Sequence, residues 1–276
     1  MRLAHLHLPN ITPFKHVSSL QQILTSRFLT HKKVESPPHP PDPTIITFTP
    51  NPVYTTGRRD LPPSPHSRSP FTTLSLPPSL QPIRSLITGS ASNRTPPVAE
   101  YHPTLRGGQT TYHGPGQLVA YTILDLRRLG LTPRCHIRLL ENSIIDVLRG
   151  FDIRGFVTED PGVWVSAATG PTIPPKIKKI TAVGVHLRRH ISSYGIGLNV
   201  TEEPMWFFQQ IVACGLDGRE ATSLAGQGVE GVTIEDVADR FVRSFVERLK
   251  SDCSGNGEAI DTVYKIEEKD IIETEP

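Results

Sequence analysis

Apolar positions recur along the chain with two periods, every second residue and every third or fourth, so both strands and helices are predicted. In LAHLHL, near the N-terminus, Ala4, Leu6 and Leu8 alternate with His5 and His7. This is the period of a half-buried strand, whose alternate side chains face the core and the solvent. The segment therefore predicts a first strand.

Five further segments have the composition of strands. β-Branched and apolar residues dominate TIITF (44–48) and LVAYTILDL (118–126), so the first is predicted to be a strand and the second a buried strand. Three short apolar runs predict three more, namely GVWVSAA (162–168), ITAVGVHL (180–187) and GIGLNV (195–200). By contrast, PNPVYTTGRR (50–59) is rich in turn-forming residues and predicts a turn region.

Four segments show the helical spacing of apolar residues. Thr12-Pro13 and Thr132-Pro133 each have the form of an N-cap followed by proline at the first helical position. A third helix is predicted over 204–212 and a fourth from about Thr233. The apolar faces of the first, second and fourth helices are Val17, Leu20, Leu24 and Phe28; Ile137, Leu140, Ile144, Val147 and Leu148; and Val237, Phe241, Phe245 and Leu249.

Strand and helix patterns are mixed without regular alternation, which favours an α+β fold over a doubly wound one. We predict a single domain over residues 1–250, in which helices flank a central mixed or antiparallel sheet. A Pro/Ser-rich insertion at about 61–98 has little to bury and is expected to be a mobile surface segment. The acidic tail 251–276 is expected to be flexible.

Composition limits the class of protein. The 276 residues, 37% of them hydrophobic, suffice for one sizeable core. A net charge of +2 is too small to indicate nucleic acid as a partner, and no run of 18 apolar residues predicts a membrane span. Cys135, Cys214 and Cys253 are far apart in the chain. Neither a disulfide framework nor a zinc site is therefore predicted, and a reducing compartment is indicated.

The first 34 residues allow two interpretations. They contain five basic residues and no acidic one, a bias typical of a mitochondrial transit peptide. The strand and helix patterns in the same residues favour folded structure instead. The two interpretations can overlap, because a short import signal can lie within residues that also fold.

The segment RGGQTTYHGPGQ (106–117) has no run of large apolar side chains and is not expected to be core. Its paired glycines allow backbone N–H groups to approach a ligand, Arg106 can pair with an anionic group, and the Gly-Pro-Gly turn holds His113. A Gly-rich hairpin turn with a surface histidine is the alternative. The segment precedes a strand, so it is neither a Walker loop nor a dinucleotide-binding loop.

Two further polar residues are candidates for chemistry. Lys179 stands at the mouth of an apolar strand, as a solvated strand end or as a partly desolvated base. Cys214 lies on a glycine-flanked turn in ACGLDGREATSL (213–224), where a thiol is better placed as a nucleophile than in a buried core. Cys135 and Cys253 lack such flanks and are interpreted as structural or incidental.

Four motifs, in this order, resemble the lipoyl(octanoyl) transferase family, which is related to the biotin and lipoate protein ligases. That family shows R-G-G-x-x-T-Y/F-H-G-P-G-Q, K-I-A-x-I/V-G, H-G-L-A-L-N-V, and P/A-C-G-L followed closely by T-S-L. Here they stand as RGGQTTYHGPGQ, KITAVG, YGIGLNV and ACGLDGREATSL. The likeness covers most of the chain from residue 1 to about 250, without the insertion.

The resemblance implies a biotin/lipoate protein ligase-like fold and assigns roles to matching residues. Cys214 would be the nucleophile that carries the acyl group as a thioester, and Lys179 would activate its thiol. No metal ligand is implied. The residues that would contact the acyl group or its carrier arm are Arg106, Gly107, Gly108, Gln109, Thr110, Thr111, Tyr112, His113, Ala182, Val183, Gly184, Gly195, Ile196 and Gly197.

The reaction implied by the resemblance is the first step of endogenous protein lipoylation. An octanoyl group would move from the phosphopantetheine arm of acyl carrier protein to a lysine of a lipoyl domain. The acceptors would be 2-oxoacid dehydrogenase complexes and the glycine cleavage H protein, and the location would be mitochondrial. Because a thioester is already activated, no bound cofactor, ATP or metal is expected.

Two residues depart from the family pattern. Tyr194 stands where histidine commonly precedes the glycine of G-L-A-L-N, and tyrosine does not act as a base at neutral pH as histidine can. Gly197 replaces the usual alanine and is expected to reshape the acyl channel slightly.

Three other functions remain as alternatives. An ATP-dependent lipoate ligase of the same fold would not need the Cys214 nucleophile. A non-catalytic relative would bind acyl or lipoyl groups without turnover. A cysteine hydrolase would have no use for the Gly-rich motif. The presence of Cys-Gly-Leu together with Lys179 favours the transferase over the ligase and the non-catalytic relative.

Overall fold

A mixed sheet forms the centre of the molecule in the computed structural model, which describes residues 1–34, 39–61, 75–89, 96–166, 176–215, 218–252 and 257–273. Its strands are β1 (Arg2–Thr12), β2 (Thr44–Pro50), β6 (Gln117–Ile123), β7 (Gly155–Phe156), β8 (Gly162–Ser166), β9 (Ile177–Arg188), β10 (Ile191–Asn199), β11 (Glu220–Ala221) and β12 (Thr262–Lys265). The order is β12-β1-β2-β6-β10-β9-β8-β7, with β11 beside β9. Parallel and antiparallel pairs both occur, which confirms the predicted mixed sheet.

Helices cover both faces of this sheet. On one face, α1 (Phe14–His31) packs against β2, β6 and β10, and α6 (Glu268–Ile272) packs against α1. On the other face, α3 (Pro133–Arg149) and α5 (Ile234–Asp252) pack against each other and against the sheet. The predicted helical faces of α1 and α5 are buried. No helix among the described residues is long and apolar enough to cross a membrane.

A small sheet beside the large one corrects the prediction of a turn region at 50–59. Its strands are β3 (Val53–Thr56), β4 (Glu100–Pro103) and β5 (Thr111–His113), in the order β4-β3-β5. All four residues of β3 are buried, because the strand lies between two partners and below an aromatic cluster. Two short helices, α2 (Arg84–Thr88) and α4 (Glu203–Gln209), lie beside this sheet.

Two details at the N-terminus differ from the prediction. Thr12 belongs to β1, so α1 begins at Phe14 with Pro13 as its N-cap and without a side-chain cap. The predicted cap at Thr132 is confirmed, since its side chain accepts a hydrogen bond from the backbone N–H of Cys135. β1 is also not half-buried, because His5 faces the α5 side of the sheet and is only 3% exposed.

The Pro/Ser-rich insertion packs against the domain where it is described. Leu76, Leu80, Ile83 and Ile87 are buried in a cluster with Tyr54 and Tyr112. The expectation of a mobile segment with little to bury is therefore wrong for residues 75–89. These four apolar residues have helical spacing, which the surrounding prolines conceal. The rest of the predicted insertion at 62–74 and 90–95 lies outside the described residues.

Replacing Leu80 by alanine is expected to destabilise the domain by about 2–5 kcal/mol, because this fully buried side chain would leave a cavity. Chemical denaturation of the variant and the parent measures the difference. The control is Leu61→Ala, since Leu61 is 41% exposed and its truncation should cost under about 0.5 kcal/mol. Equal losses in the two variants would contradict the packing of residues 75–89.

The C-terminal tail is also packed rather than flexible where it is described. β12 pairs in parallel with β1, and its register joins Arg2 to Thr262 and His5 to Lys265. Ile260 and Ile271 are each 1% exposed. These two isolated apolar residues anchor a segment whose acidic composition predicted solvent exposure. Cys253 and residues 274–276 lie outside the described residues.

Candidate active site

The glycine-rich segment runs from the small sheet into the large one. It begins at Arg106, forms a loop, becomes β5 and passes through the Gly-Pro-Gly turn into β6. The loop is tied to neighbouring strands by its backbone, since Gly107 N–H donates to Val185 O and Arg58 N–H donates to Arg106 O, both at 2.9 Å. Gly57 allows its own backbone to approach the loop closely, because a Cβ there would lie 2.3 Å from Gly108 O.

Most of this segment is interior, which corrects the expectation that it is not core. Thr110, Tyr112 and Gln117 are at most 1% exposed, and His113 is 8% exposed. His113 is therefore not the surface histidine of the alternative interpretation. The segment combines buried polar side chains with glycines, so its packing depends on hydrogen bonds rather than on large apolar groups.

A chain of buried hydrogen bonds crosses from β5 to the strand that carries Lys179. His113 Nδ1 contacts Gln117 Oε1 at 3.2 Å, and Gln117 Nε2 donates to Asn199 Oδ1 at 2.7 Å. Asn199 Nδ2 donates to Thr222 O at 2.8 Å, and the N–H of Thr222 donates to Lys179 O at 2.9 Å. The network fixes the relative positions of the Gly-rich motif and the backbone of Lys179.

Burial lowers the pKa of His113 to about 3, and the nearby Arg106 guanidinium acts in the same direction. The imidazole is therefore neutral at physiological pH. Since Gln117 Oε1 is an acceptor, Nδ1 carries the proton and the imidazole acts as a donor to the network rather than as a base.

Buried neutral histidines make the fold sensitive to acid. Burial lowers the pKa of His5 to about 4, of His136 to about 4 and of His113 to about 3. An unfolded histidine takes up its proton near pH 6.5. Between pH 6.5 and 4 the unfolded state therefore binds more protons than the folded state, and the free energy of unfolding decreases as the pH is lowered. Between pH 7 and 5 we expect a loss of about 2 kcal/mol for each histidine.

Melting temperatures at pH 7, 6 and 5 measure this loss. His136→Gln should flatten the pH dependence, because His136 lies on α3 and is fully buried. His39→Gln, at an exposed position, should leave it unchanged. Identical slopes for the two variants would rule out His136 as a source of acid sensitivity.

Arg106 holds the loop instead of offering an open anion site. Its Nη2 donates to Thr55 O, Thr55 Oγ1 and Gln109 O at 2.9–3.0 Å, and its Nη1 donates to Gly107 O at 3.1 Å. The side chain is 8% exposed, and burial lowers the pKa of the guanidinium. These hydrogen bonds make Arg106 a structural support of the loop, and its pairing with an anionic group stays a prediction.

The floor of the site is the β9–β10 hairpin. Ala182 pairs with Gly197, and Gly184 pairs with Gly195. The small residues are required by close approaches. A Cβ at Gly184 would lie 3.2 Å from Arg106 Cδ, and one at Gly197 would lie 2.9 Å from the His113 ring. Glycine in place of the usual alanine thus lets the His113 ring lie directly on the hairpin.

Cys214 lies in the single turn Ala213–Gly215, which follows α4. Its backbone is left-handed, with φ 57° and ψ 15°, and the next residue, Gly215, is left-handed as well. The N–H of Cys214 donates to Thr110 O at 2.7 Å. A Cβ at Gly215 would overlap the side-chain amide of Gln109, so that amide packs against the turn. The half-buried thiol is thus held next to the Gly-rich loop.

Lys179 projects from β9 over the Trp164 ring, with its Nζ 5.2 Å from the ring centroid. The absence of a side chain at Gly162 makes space for the lysine, because a Cβ there would lie 2.6 Å from Lys179 Cε. Glu141 is 4% exposed and accepts a hydrogen bond from Gly162 N–H at 2.9 Å. Burial raises the pKa of the Glu141 carboxyl, while that hydrogen bond, Arg138 and Lys179 act in the opposite direction.

Two cavities, of about 410 and 400 Å³, share part of their walls. The shared residues are Thr111, His113, Lys179, Ala182, Gly197 and Cys214. The first cavity extends past the Gly-rich loop to Tyr121, Tyr194 and Ile196. The second extends along α4 to Phe208 and Val212. The candidate nucleophile and lysine thus lie where the two cavities meet.

The structure brings the predicted site residues together with one exception. Every one of them lines at least one cavity except Thr110, which lies behind the wall and holds Cys214 through its carbonyl group. Tyr112 lines the second cavity and also stacks on Phe207, with ring centroids 4.2 Å apart. Among the described residues, no group of three His, Cys, Asp or Glu residues could hold a metal ion.

Tyr194, the departure from the family pattern, lines the end of the first cavity. Its backbone is left-handed, with φ 62°, and its ring packs edge-on against Tyr121 at 5.4 Å. Burial raises the pKa of the Tyr194 hydroxyl, so the phenol is neutral at physiological pH. The residue therefore forms part of the cavity wall as a neutral aromatic ring.

Sequence reasoning missed four residues of the site. Trp164 and Glu141 flank Lys179, and Asp60 and Ser79 contact Thr110. Glu141, Asp60 and Ser79 belong to no local motif. A signal existed only for Trp164, which lies in the predicted strand that pairs with β9.

Comparisons with known proteins identify the family. The family model of the lipoyl protein ligase A/B catalytic domain matches residues 98–246. The Schizosaccharomyces pombe protein named probable octanoyltransferase is 38% identical over 224 residues, which cover 79% of this chain and 83% of the relative. A Homo sapiens protein named octanoyl-acyl-carrier-protein:protein N-octanoyltransferase, mitochondrial, is 41% identical over 155 residues, or 55% of this chain and 62% of the relative.

Solved structures agree on the fold. LipL1 of P. falciparum in complex with lipoate superposes with a TM-score of 0.57 at 12% identity, covering 100% of this chain and 69% of the other. A bipartite lipoate protein ligase from Thermoplasma acidophilum gives 0.55 at 14% identity, covering 97% and 88%. At identities this low the superpositions show the fold alone. They confirm the predicted ligase-like architecture.

The chain belongs to the lipoyl protein ligase A/B catalytic-domain family. Its relatives at 38% and 41% identity are named octanoyltransferases, and within the family the chain is an acyltransferase.

Proposed function

We propose that the protein transfers an octanoyl group from octanoyl-acyl carrier protein to a lysine of a lipoyl domain, through a thioester on Cys214. The observation that carries the proposal is the position of Cys214 and Lys179 where two cavities meet. One cavity can hold the acyl chain while the other admits the group that brings it or takes it away. The names of the relatives supply the donor and the protein acceptor.

In the first half-reaction, the Lys179 amine takes the proton of the Cys214 thiol, and the sulfur attacks the thioester carbon of the donor. The bond from that carbon to the phosphopantetheine sulfur breaks, and the departing thiolate regains a proton from Lys179. The new thioester has similar energy, so the acyl group remains activated. The Gln109 amide, which packs against Gly215, can donate to the carbonyl oxygen.

In the second half-reaction, the neutral amine of the acceptor lysine attacks the Cys214 thioester. An amide forms, the Cys214 sulfur leaves as thiolate, and the proton lost by the amine passes through Lys179 to that sulfur, which restores the thiol. Each transfer breaks and forms one bond at the same carbon. The cycle therefore needs no ATP, metal or bound cofactor.

The acceptors that we propose are the lipoyl domains of 2-oxoacid dehydrogenase complexes and the glycine cleavage H protein. We also propose a mitochondrial location. The human and Xenopus tropicalis relatives are named as mitochondrial, and a bacterial relative is similar to this chain to the same degree, at 43% identity. The acid-free first 34 residues support the location.

Incubation with octanoyl-acyl carrier protein in the absence of ATP tests the proposal. Mass spectrometry of the intact protein and its peptides should show one octanoyl group on Cys214, which hydroxylamine removes and an apo lipoyl domain accepts. No adduct, with transfer only after addition of ATP and free octanoic acid, would instead assign an ATP-dependent ligase.

A further inference from the structure

Three side chains from separate segments meet behind Cys214. Ser79 Oγ donates to Asp60 Oδ2 at 2.7 Å and lies 2.7 Å from Thr110 Oγ1. Asp60 Oδ2 also accepts hydrogen bonds from Thr110 Oγ1 and, at 3.3 Å, from Thr110 N–H. Asp60 follows β3, Ser79 lies in the packed part of the Pro/Ser-rich insertion, and Thr110 precedes β5.

The hydrogen-bond donors and acceptors of this cluster can be paired in only a few ways. Each hydroxyl has one proton to donate, and the carboxylate oxygen only accepts. Two hydroxyl protons are therefore distributed over the three oxygens, and the Thr110 N–H supplies a further donor to Asp60. Thr110 is 1% exposed, so water cannot easily replace a lost partner. Removing Asp60 or Ser79 leaves a buried Thr110 group with an incomplete set of hydrogen bonds.

Thr110 connects the cluster to the nucleophile. Its carbonyl group accepts the hydrogen bond from Cys214 N–H at 2.7 Å. The left-handed backbone of Cys214 is unfavourable by roughly 1–2 kcal/mol for a residue with a Cβ, so it persists only where neighbouring groups hold it. Side chains that fix Thr110 thereby fix the direction in which the thiol projects.

We propose that Asp60 and Ser79 are positioning residues for acyl transfer, which set the Cys214 turn through Thr110. The proposal rests on the proposed role of Cys214 as the nucleophile. It gives a function to the residues 75–89, because Ser79 reaches the site only when that segment is packed. Asp60 lines neither cavity, so its proposed effect on the reaction acts through Thr110 and not through contact with the substrate.

A purely structural role makes a different prediction from a positioning role. If the cluster only stabilises the fold, Asp60→Asn and Ser79→Ala should lower the melting temperature and leave kcat of the folded fraction unchanged. If it positions the thiol, kcat should fall about 10- to 100-fold, because displacements of about 1 Å have such effects. KM for octanoyl-acyl carrier protein should stay within about twofold, since the cavities are intact.

The experiment measures kcat and KM for octanoyl transfer by the full chain from octanoyl-acyl carrier protein to an apo lipoyl domain, together with single-turnover acylation and alkylation by iodoacetamide. Alkylation of Cys214 by this small reagent needs no alignment and should change little. Two matched controls remove similar groups far from the site, namely Ser143→Ala, whose Oγ donates to Leu139 O, and Asp146→Asn, which pairs with Arg248.

The expected result is a lower kcat in both Asp60→Asn and Ser79→Ala but in neither control, at a temperature where all four variants are folded. Ser79→Ala alone decides the question if Asp60→Asn does not fold. Acylation at the control rate in Ser79→Ala would overturn the positioning role while leaving the proposed function intact. A wild-type protein that forms no thioester on Cys214 would overturn both.

Discussion

Cys214→Ala is expected to form no octanoyl thioester and to lose about 10⁴-fold or more of its transfer activity, because no other thiol among the described residues lines the two cavities. The fold should tolerate the change, since Cys214 is half-buried and its hydrogen bond to Thr110 uses the backbone. Mass spectrometry after incubation with octanoyl-acyl carrier protein measures the adduct, and transfer to an apo lipoyl domain measures the activity.

The control is Cys135→Ala, which removes an exposed thiol from α3. It should be acylated at the wild-type rate. If Cys214→Ala retained transfer with ATP and free octanoic acid, the chemistry would be that of a ligase. Such a result would also remove the reason for the left-handed turn that presents the thiol to both cavities.

Lys179→Met is expected to slow acylation of Cys214 by about 10²- to 10³-fold at neutral pH, the range of a lost general base. Methionine keeps the apolar stem on the Trp164 ring and removes only the amine, so the packing of β8 on β9 should survive. Free thiols ionise unaided as pH rises. The ratio of wild-type to variant rates should therefore shrink at higher pH.

Single-turnover acylation between pH 6 and 9 measures this ratio. The control is Lys250→Met, because Lys250 is exposed on α5 and lines neither cavity. Equal rates for Lys179→Met and the wild type at neutral pH would show that another group activates the thiol. His113 is a poor candidate for that group, because its lowered pKa makes the imidazole a weak base and its Nδ1 contacts Gln117.

Periodicity was sufficient to predict the layers of the fold. β6, α3 and α5 have continuous apolar patterns, and such segments fold in the same way in many contexts. β10 was predicted only from Gly195, because its first half contains Ser192 and Ser193. The pattern was misleading where composition dominated the interpretation. Residues 75–89 contain a helical spacing of four apolar side chains, but prolines between them suggested a segment without a buried face.

The tail was misjudged for a related reason. Only Ile260 and Ile271 are buried in the described part of it, so no periodic signal exists to find. Parallel pairing with β1 is a tertiary event, because it depends on a strand more than 250 residues away along the chain. Sequence patterns of short range carry no information about such pairs.

The candidate site divides in the same way. Cys214, Lys179 and the Gly-rich loop stand in motifs and were predicted from the resemblance. Asp60 and Ser79 were not, because their positions follow from the packing of β3 and of the insertion against Thr110. Arg106 was predicted as a substrate contact, but its hydrogen bonds to Thr55 and Gln109 could not be predicted, because only the folded loop brings these groups together.

The pairing of β12 with β1 has a consequence for solubility. β1 is 11 residues long and carries buried apolar side chains, so without β12 its first half would present unpaired N–H and C=O groups along an edge of the sheet. Edges of this kind recruit strands from other molecules. β12 is only four residues long and carries the exposed Lys265, and a short edge strand with a charged side chain is a poor template for a further strand. By pairing with β1, the acidic tail is expected to protect this edge of the sheet from pairing with strands of other molecules.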